Sequence, residues 1–266
     1  MNELISMTGI IDSIPGFALV LLRASGVVVF LPIFGSLQVP VRIRVGFAVV
    51  MAMAMMSVVE ADITAPSTVL GWALVSLREL AAGFFFGIAA RTIFSGVELA
   101  AAMVSGQSGF SMASMVDPLT GGNAVAPALF LNLLATALFL AADMHHLMIG
   151  AMLSSYDILP VSTELVRVAH LGEAAGSLGM RMLDIAVQLA APGLLVTFSI
   201  DLLLALVGRA MGQVPILLVG YPVKLAAGLI AMAMLAMGTG SAIGWLGRTI
   251  VQDGRAILGA LSSQGV

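Results

Sequence analysis

Residues 182–207 read MLDIAVQLAAPGLLVTFSIDLLLALV. This stretch indicates the fold class, because it is longer than the ~20 predominantly apolar residues that an α-helix needs to cross a bilayer. Asp184 and Asp201 lie inside it, where ionisable side chains are costly and are candidates for a function. The stretch therefore predicts a hydrophobic helix with charged groups that need partners.

Comparable apolar stretches recur along the chain, and α-helix is the expected structure for each of them. They cover residues 15–37, 45–59, 69–90, 124–153 and 214–237. A weaker segment, from Thr92 to Met115, contains Glu98 and several glycines and is predicted to be a helix that breaks near Gly106. The sequence thus predicts an all-α fold, a multi-helix bundle of the integral membrane type.

Composition supports this class and excludes others. The chain is 60% hydrophobic and 9% charged, with a mean hydropathy of +1.11, which leaves too few polar side chains to cover a soluble globule. There is no cysteine, so disulfides, thiolate nucleophiles and cysteine-ligated metals are excluded. The basic residues are scattered and the net charge is −3, which argues against binding to nucleic acid. No cofactor is predicted.

Charges between the apolar stretches suggest an orientation. Glu3 and Asp12 precede the first stretch, whereas Arg42 and Arg44 follow it. By the positive-inside tendency, this pattern puts the N-terminus outside and the two arginines on the cytoplasmic side. The longest polar interval, residues 154–181, is expected to be an internal boundary.

The most distinctive run is the central segment GQSGFSMASMVDP at residues 106–118. Glycines give it backbone freedom, Asp-Pro indicates a turn, and bulky apolar side chains alternate with small ones. One interpretation is a connecting loop that only packs. The other is a deformable plug that closes a pore by dewetting. Its candidate residues are Gly106, Gln107, Gly109, Phe110, Met112, Met115, Asp117 and Pro118.

The same run contains a Gly-x-Ser-Gly pattern around Ser108, which occurs in intramembrane serine proteases. His145 and His146 would be available as a general base. A pattern of four small residues arises easily in a chain with 29 glycines, so a packing serine is favoured over a nucleophile.

Ionisable residues in or near the apolar stretches form the second candidate set. They are expected to form ion pairs, buried or between subunits, or to line a transport path as in a secondary transporter of small solutes. Adjacent residues on a helix point about 100° apart, which argues against a metal site shared by Asp143, His145 and His146. The set comprises Arg23, Arg78, Glu79, Asp143, His146, Asp201, Arg209 and Lys224.

Three Gly-x-x-x-Gly patterns predict faces on which helices approach closely. They begin at Gly83, Gly172 and Gly240.

The order of short motifs along nearly the whole chain resembles the FliR family, which is called SctT in virulence secretion systems. The N-terminal motifs are Arg23-Ala24-Ser25-Gly26, Leu31-Pro32-Ile33-Phe34-Gly35, Val39-Pro40-Val41-Arg42, and Arg78-Glu79 with Gly83 and Gly87. The central ones are Gln107, Gly109, Asp117, Pro118, His146-Leu147 and Leu159-Pro160. The C-terminal ones are Ala191-Pro192, Asp201, Leu204, Gly208-Arg209, Gln213 and Gly220-Tyr221-Pro222-Val223-Lys224.

A few positions depart from the family pattern. Gly212 stands where proline is frequent, and His145 stands where glycine is usual. Met112 and Met115 occupy positions at which the family has bulky aromatic residues, and methionine keeps the apolar bulk while adding flexibility.

The resemblance implies a structural subunit of a type III protein export gate, without enzymatic activity and without a cofactor. Its partners would be FliP-like and FliQ-like subunits, together with FlhB and FlhA, and its substrates would be exported flagellar proteins. Residues 1–153 would be FliP-like and include the plug, residues 154–181 would be a polar connection, and residues 182–266 would be a FliQ-like hairpin with a tail. The expected location is the flagellar basal body in the bacterial inner membrane, with a flagellar system preferred over a virulence system.

Overall fold

The computed structural model describes residues 2–31, 39–56, 68–108, 126–161, 171–210 and 216–261. Within these ranges all regular structure is α-helical, which confirms the predicted all-α class. The helices are α1 (Asn2–Phe30), α2 (Val41–Met56), α3 (Val69–Gln107), α4 (Ala126–Ala141), α5 (Met144–Ile158), α6 (Leu171–Ala210) and α7 (Ile216–Leu261).

Several helices have the length and composition of membrane spans. Val69–Gln107, Ala175–Ala210 and Gly220–Ala242 are each long and apolar enough to cross a membrane. Ala128–Ala141 and Met144–Ile158 meet the same criteria together, as one span with a 68° bend. These helices confirm the predicted bundle of kinked hydrophobic helices of the membrane type.

The bend lies at Asp143. This residue has a φ of 53°, in the left-handed region that is unfavourable for residues with a Cβ and that Asp tolerates better than most. The stretch 124–153, which is continuous in apolar composition, is therefore divided into α4 and α5. Composition alone contained no sign of this break.

Helix α3 covers two segments that were predicted separately, residues 69–90 and the segment that begins at Thr92. It runs as one helix of 39 residues through Arg91 and ends at Gln107. Its end lies next to Gly106, where a break is predicted. Of the proposed plug residues, Gly109, Phe110, Met112, Met115, Asp117 and Pro118 lie outside the described residues.

The chain divides into two compact units. Unit 1 comprises residues 1–92, 145–178 and 247–266, and unit 2 comprises residues 93–144 and 179–246. Each unit combines segments from both halves of the chain. These compact units do not correspond to the predicted division into residues 1–153, 154–181 and 182–266. That division rests on the family resemblance and stays a prediction.

Close approach of α1 and α3 organises unit 1. A Cβ atom on Gly83 would overlap the backbone carbonyl oxygen of Arg23, and one on Gly26 would lie 2.8 Å from the backbone nitrogen of Phe84. A Cβ on Gly87 would lie 2.9 Å from the Cβ of Phe30. These glycines let the two backbones touch, as the first Gly-x-x-x-Gly pattern predicts.

The other two patterns do not have this role within the described residues. Cβ atoms on Gly172, Gly176 and Gly244 would meet nothing within 4 Å, and one on Gly240 would make only an ordinary contact at 3.9 Å. The Gly-x-x-x-Gly spacing alone therefore did not distinguish glycines that pack against another helix from glycines with open space around them.

Unit 2 uses different small residues for its packing. A Cβ on Gly96 would lie 3.0 Å from the side chain of Ile185, so α3 and α6 are in tight contact there. Gly193 faces Ala231 across the α6–α7 hairpin, where a Cβ added to the glycine would lie 3.2 Å from the alanine Cβ. The rings of Phe94 and Phe139 pack edge to face with centroids 5.1 Å apart, which links α3 to α4.

Replacing Gly83 by alanine tests the contact between α1 and α3. Alanine favours a helix over glycine by ~1 kcal/mol, but overpacking against a backbone atom costs ~1–3 kcal/mol. We therefore expect Gly83→Ala to lower the thermal unfolding midpoint of the detergent-extracted protein, followed by tryptophan fluorescence. The control is Gly176→Ala, at an exposed helical glycine with open space around it, which should leave the midpoint unchanged or raise it. Equal behaviour of the two variants would contradict the close approach.

Candidate functional site

A buried ion pair connects α1 and α3 in unit 1. Arg23 is 1% exposed and Glu79 is 0% exposed. The Nε atom of Arg23 donates to Oε2 of Glu79 at 2.6 Å, and Nη2 donates to Oε1 at 2.8 Å. This two-point geometry is the strong form of the arginine–carboxylate interaction.

The same guanidinium group also holds the end of α5. Nη1 of Arg23 donates to Oγ of Ser155 at 3.1 Å, and Nη2 donates to the carbonyl oxygen of Leu159 at 2.8 Å. That carbonyl follows the last residue of α5, where helix carbonyls lack partners within the helix. Arg23 therefore supplies a donor that the end of α5 needs.

An aromatic ring completes the cluster. The Cζ atom of Arg23 lies 3.8 Å from the ring centroid of Tyr156, well within the ~6 Å of a cation–π contact. We call Arg23, Glu79, Ser155, Tyr156 and Leu159 the Arg23 cluster. It joins α1, α3 and α5 through one cation whose charge is matched by one carboxylate.

Close backbone packing explains why the cluster can exist. Gly83 lies one turn after Glu79 on α3 and contacts the backbone of Arg23 itself. The long arginine side chain can therefore lie along α3 and reach Glu79 without leaving the apolar interior. Arg78, the neighbour of Glu79, is also buried, with 6% exposure.

A second ion pair links the two helices of the α6–α7 hairpin in unit 2. Nζ of Lys224 lies 2.9 Å from Oδ1 and 3.1 Å from Oδ2 of Asp201. The two side chains are 29% and 35% exposed, so water or a partner can reach them. Arg209 is exposed in the last turn of α6, where a positive charge complements the helix dipole.

A third polar contact of unit 2 joins α3 to α4. Nδ2 of Asn132 donates to Oε1 of Glu98 at 3.1 Å. This hydrogen bond gives the carboxylate of Glu98 a partner inside the fold, which lowers the free-energy cost of burying it partly.

The charged residues at the α4–α5 break lie at the surface of the described part of the chain. Asp143 and His146 are exposed, which leaves a role between subunits as a prediction, and the rings of His145 and His146 lie with centroids 4.2 Å apart. The expectation that Asp143, His145 and His146 share no metal site stays a prediction.

Ser108 has the properties of a packing serine. It is fully buried, and its hydroxyl group donates to the carbonyl oxygen of Val104, four residues earlier. This bond is the usual use of a serine hydroxyl on a helix. The hydroxyl proton is thus engaged by the backbone and not by a base.

Sequence reasoning singled out Arg23 and Glu79 as candidate charges and quoted Leu159 as part of a motif, but it did not find Ser155 and Tyr156 on α5. Ser155 and Leu159 are four residues apart and so lie on the same side of the helix end, but Leu159 contributes its backbone carbonyl, which no side-chain pattern indicates. The usable signal was Tyr156, one of 2 tyrosines in the chain, because an aromatic ring among apolar residues is a possible partner for a buried cation.

Most of the chain matches an established family. Residues 14–245, which include the whole Arg23 cluster and the Asp201–Lys224 pair, match the family described as Bacterial export proteins, family 1. The chain belongs to this family.

Individual relatives agree with this membership. The chain is 32% identical over 222 residues to the flagellar biosynthetic protein FliR of Caulobacter vibrioides, covering 83% of this chain and 88% of that protein. It is 30% identical over 231 residues to FliR of Bacillus subtilis, covering 85% and 88%. With FliR of Escherichia coli it shares 26% identity over 216 residues, covering 81% and 82%. These relatives confirm the resemblance to the FliR family and support a role in flagellar protein export.

Removing one partner of the Arg23 cluster should be much worse than removing both. Glu79→Met leaves a buried cation without its carboxylate, which typically costs ~3–5 kcal/mol, whereas apolar replacement of a whole buried pair is often close to neutral. We expect Arg23→Met and Glu79→Met each to lower the thermal unfolding midpoint strongly, and the double variant to recover part of the loss.

Lys224→Met is the matched control for the Arg23 cluster variants. It breaks a partly exposed pair, for which the expected loss is ~0–1 kcal/mol. If Glu79→Met and Lys224→Met lowered the unfolding midpoint equally, the buried pair would contribute no more to stability than the partly exposed pair, which would contradict the prediction.

Proposed function

We propose that the chain is a structural subunit of the flagellar type III protein export gate. In this proposal it forms part of the protein-conducting channel together with FliP-like and FliQ-like subunits, and it catalyses no reaction. The observation that carries the proposal is the match of residues 14–245 to the bacterial export family, with FliR relatives aligned over most of their own length.

The surface of α6 supports assembly with other proteins. Leu195 and Phe198 are 66% and 65% exposed, so a large apolar face is left without cover by the described part of the chain. Asp184 accepts a hydrogen bond from Gln188 at 2.8 Å on the exposed side of the same helix. Polar and charged groups on an apolar helix are expensive in lipid, and their presence favours a protein partner for this helix.

The proposal includes an internal organisation and a location. Residues 1–153 act as the FliP-like part, residues 154–181 as the connection, and residues 182–266 as the FliQ-like hairpin and tail. FlhB and FlhA are further members of the apparatus, and exported flagellar proteins are its substrates. The assembly belongs to the flagellar basal body in the bacterial inner membrane.

Closure of the channel is assigned in this proposal to residues 106–122. Gly106 and Gln107 are exposed at the end of α3, and Ser108 after them is buried. The following Phe110, Met112 and Met115 supply flexible apolar bulk, which suits a seal that excludes water without fixed polar contacts.

Native mass spectrometry tests the assembly. The chain is extracted in mild detergent after expression together with FliP-like and FliQ-like proteins from the same genome. We expect a defined hetero-oligomer that contains all three. A monomer or homodimer of this chain, with the other proteins uncomplexed, would contradict the proposal and favour a small-solute transporter.

A β-branched residue at Gly109 tests the plug. Because Gly109→Val restricts the backbone, we expect it to impair movement of the segment and reduce secretion of flagellar proteins. The control is Gly150→Val, at a helical glycine where an added Cβ would have nothing within 4 Å. Secretion and ion leakage that both stay at wild-type levels in Gly109→Val cells would rule out the plug mechanism.

A further inference from the structure

The last turns of α7 bring the chain back to unit 1. Residues 247–266 belong to this unit together with residues 1–92 and 145–178, whereas the preceding part of α7 belongs to unit 2. The apolar span within α7 covers Gly220–Ala242, so the last described turns follow it in the chain. We call residues 247–261 the α7 end.

One face of the α7 end is buried by other parts of the chain. Ile250 and Ile257 are almost fully buried, and Gly254 between them is buried as well. Their spacing of three and four residues brings them to one face of the helix. Arg248 and Gln252 are exposed on the opposite side. The α7 end is therefore an amphipathic helix whose apolar face is already covered within this chain.

Gly254 is the point at which the α7 end meets α3. A Cβ atom on Gly254 would lie 2.5 Å from Cε2 and 2.7 Å from Cδ2 of Phe86. The side chain of Phe86 is 1% exposed, and a ring in a close-packed interior has little room to move away. The contact therefore needs a residue without a side chain on α7.

The α7 end also contacts the neighbourhood of the Arg23 cluster. Phe86 follows Glu79 by seven residues, which is close to two helical turns, so the two lie on the same face of α3. On α5, Oγ of Ser154 accepts a hydrogen bond from Nη2 of Arg255 at 3.0 Å, and Ser154 directly precedes Ser155 of the cluster. The α7 end thus touches two of the three helices that the Arg23 cluster joins.

We infer that the α7 end is the closing element of unit 1, so that α3 and α5 are held together stably only after it has docked. Without it, Phe86 and the buried face of α3 around this ring lack part of their cover. Helices in an apolar solvent depend on close packing for their association, and Gly254 on Phe86 is such a contact. Because residues 247–261 follow unit 2 in the chain, unit 1 is completed only after α7 has been synthesised.

Hydrogen exchange of the full-length protein tests the closing role. Gly254→Leu overpacks the contact with Phe86 but is a good helix former. We expect the amides of α5, and those of α3 up to residue 92, to exchange about tenfold faster than in the wild-type protein, measured by mass spectrometry in mild detergent. Amides of unit 2 should keep their rates within about twofold.

The α7 end contains its own control position. Gly259→Leu introduces the same side chain where an added Cβ would meet nothing within 4 Å, and it should leave exchange in α3 and α5 unchanged. Gly254→Ala adds only the Cβ atom at the tight contact. It should raise exchange of the same amides by a smaller factor, and it replaces Gly254→Leu if that variant is not recovered from the membrane.

A size exchange identifies the contact itself. Phe86→Ala removes the ring and should also accelerate exchange in α3 and α5, because it leaves a cavity. In the double variant with Gly254→Leu, the leucine occupies the space of the ring, and we expect slower exchange than in either single variant. A double variant that exchanges as fast as the worse single variant would contradict the pairing of Gly254 with Phe86.

Two further results would overturn the closing role. Faster exchange confined to residues 247–261 would make the α7 end an independent tail, and equal acceleration in both units would make Gly254 a determinant of overall stability. The readout uses the chain alone, so it does not depend on the export-gate partners.

Discussion

The ion pair of Arg23 and Glu79 is the constraint on which unit 1 depends. Each charge is almost fully buried among apolar helices, where an unpaired ion would be prohibitively expensive. The pair therefore restricts α1 and α3 to a single register. Because the same guanidinium binds Ser155 and the carbonyl of Leu159, the end of α5 is tied to that register as well.

Glycine makes this arrangement sterically possible. Gly26, Gly83 and Gly87 bring the backbones of α1 and α3 into contact, and an apolar solvent provides little hydrophobic drive for helices to associate. The association of α1 with α3 is then stabilised by dispersion contacts between closely spaced backbones and by one strong ion pair. The pair of Asp201 with Lys224 links α6 to α7 in a related way, but its partial exposure makes it weaker.

Uncovered apolar surface connects this architecture to function. The apolar span within α6 is mostly exposed, with 17% of an 18-residue stretch buried, and it has polar groups on its exposed side. This exposed apolar surface is consistent with the proposal that neighbouring subunits cover the helix.

The fold class, the family and the positions of most helices follow from the amino-acid sequence, because hydrophobic length and ordered motifs are properties of the chain. Sequence reasoning also identified Arg23 and Glu79 as charges in need of partners. Their pairing with each other and with α5 emerged only from the folded chain, because a contact across 56 residues for Glu79 and 132 for Ser155 leaves no local signal. The break at Asp143 and the choice of Gly83 over Gly172 as a packing glycine likewise depend on backbone conformation and on neighbouring helices, which spacing along the chain does not specify.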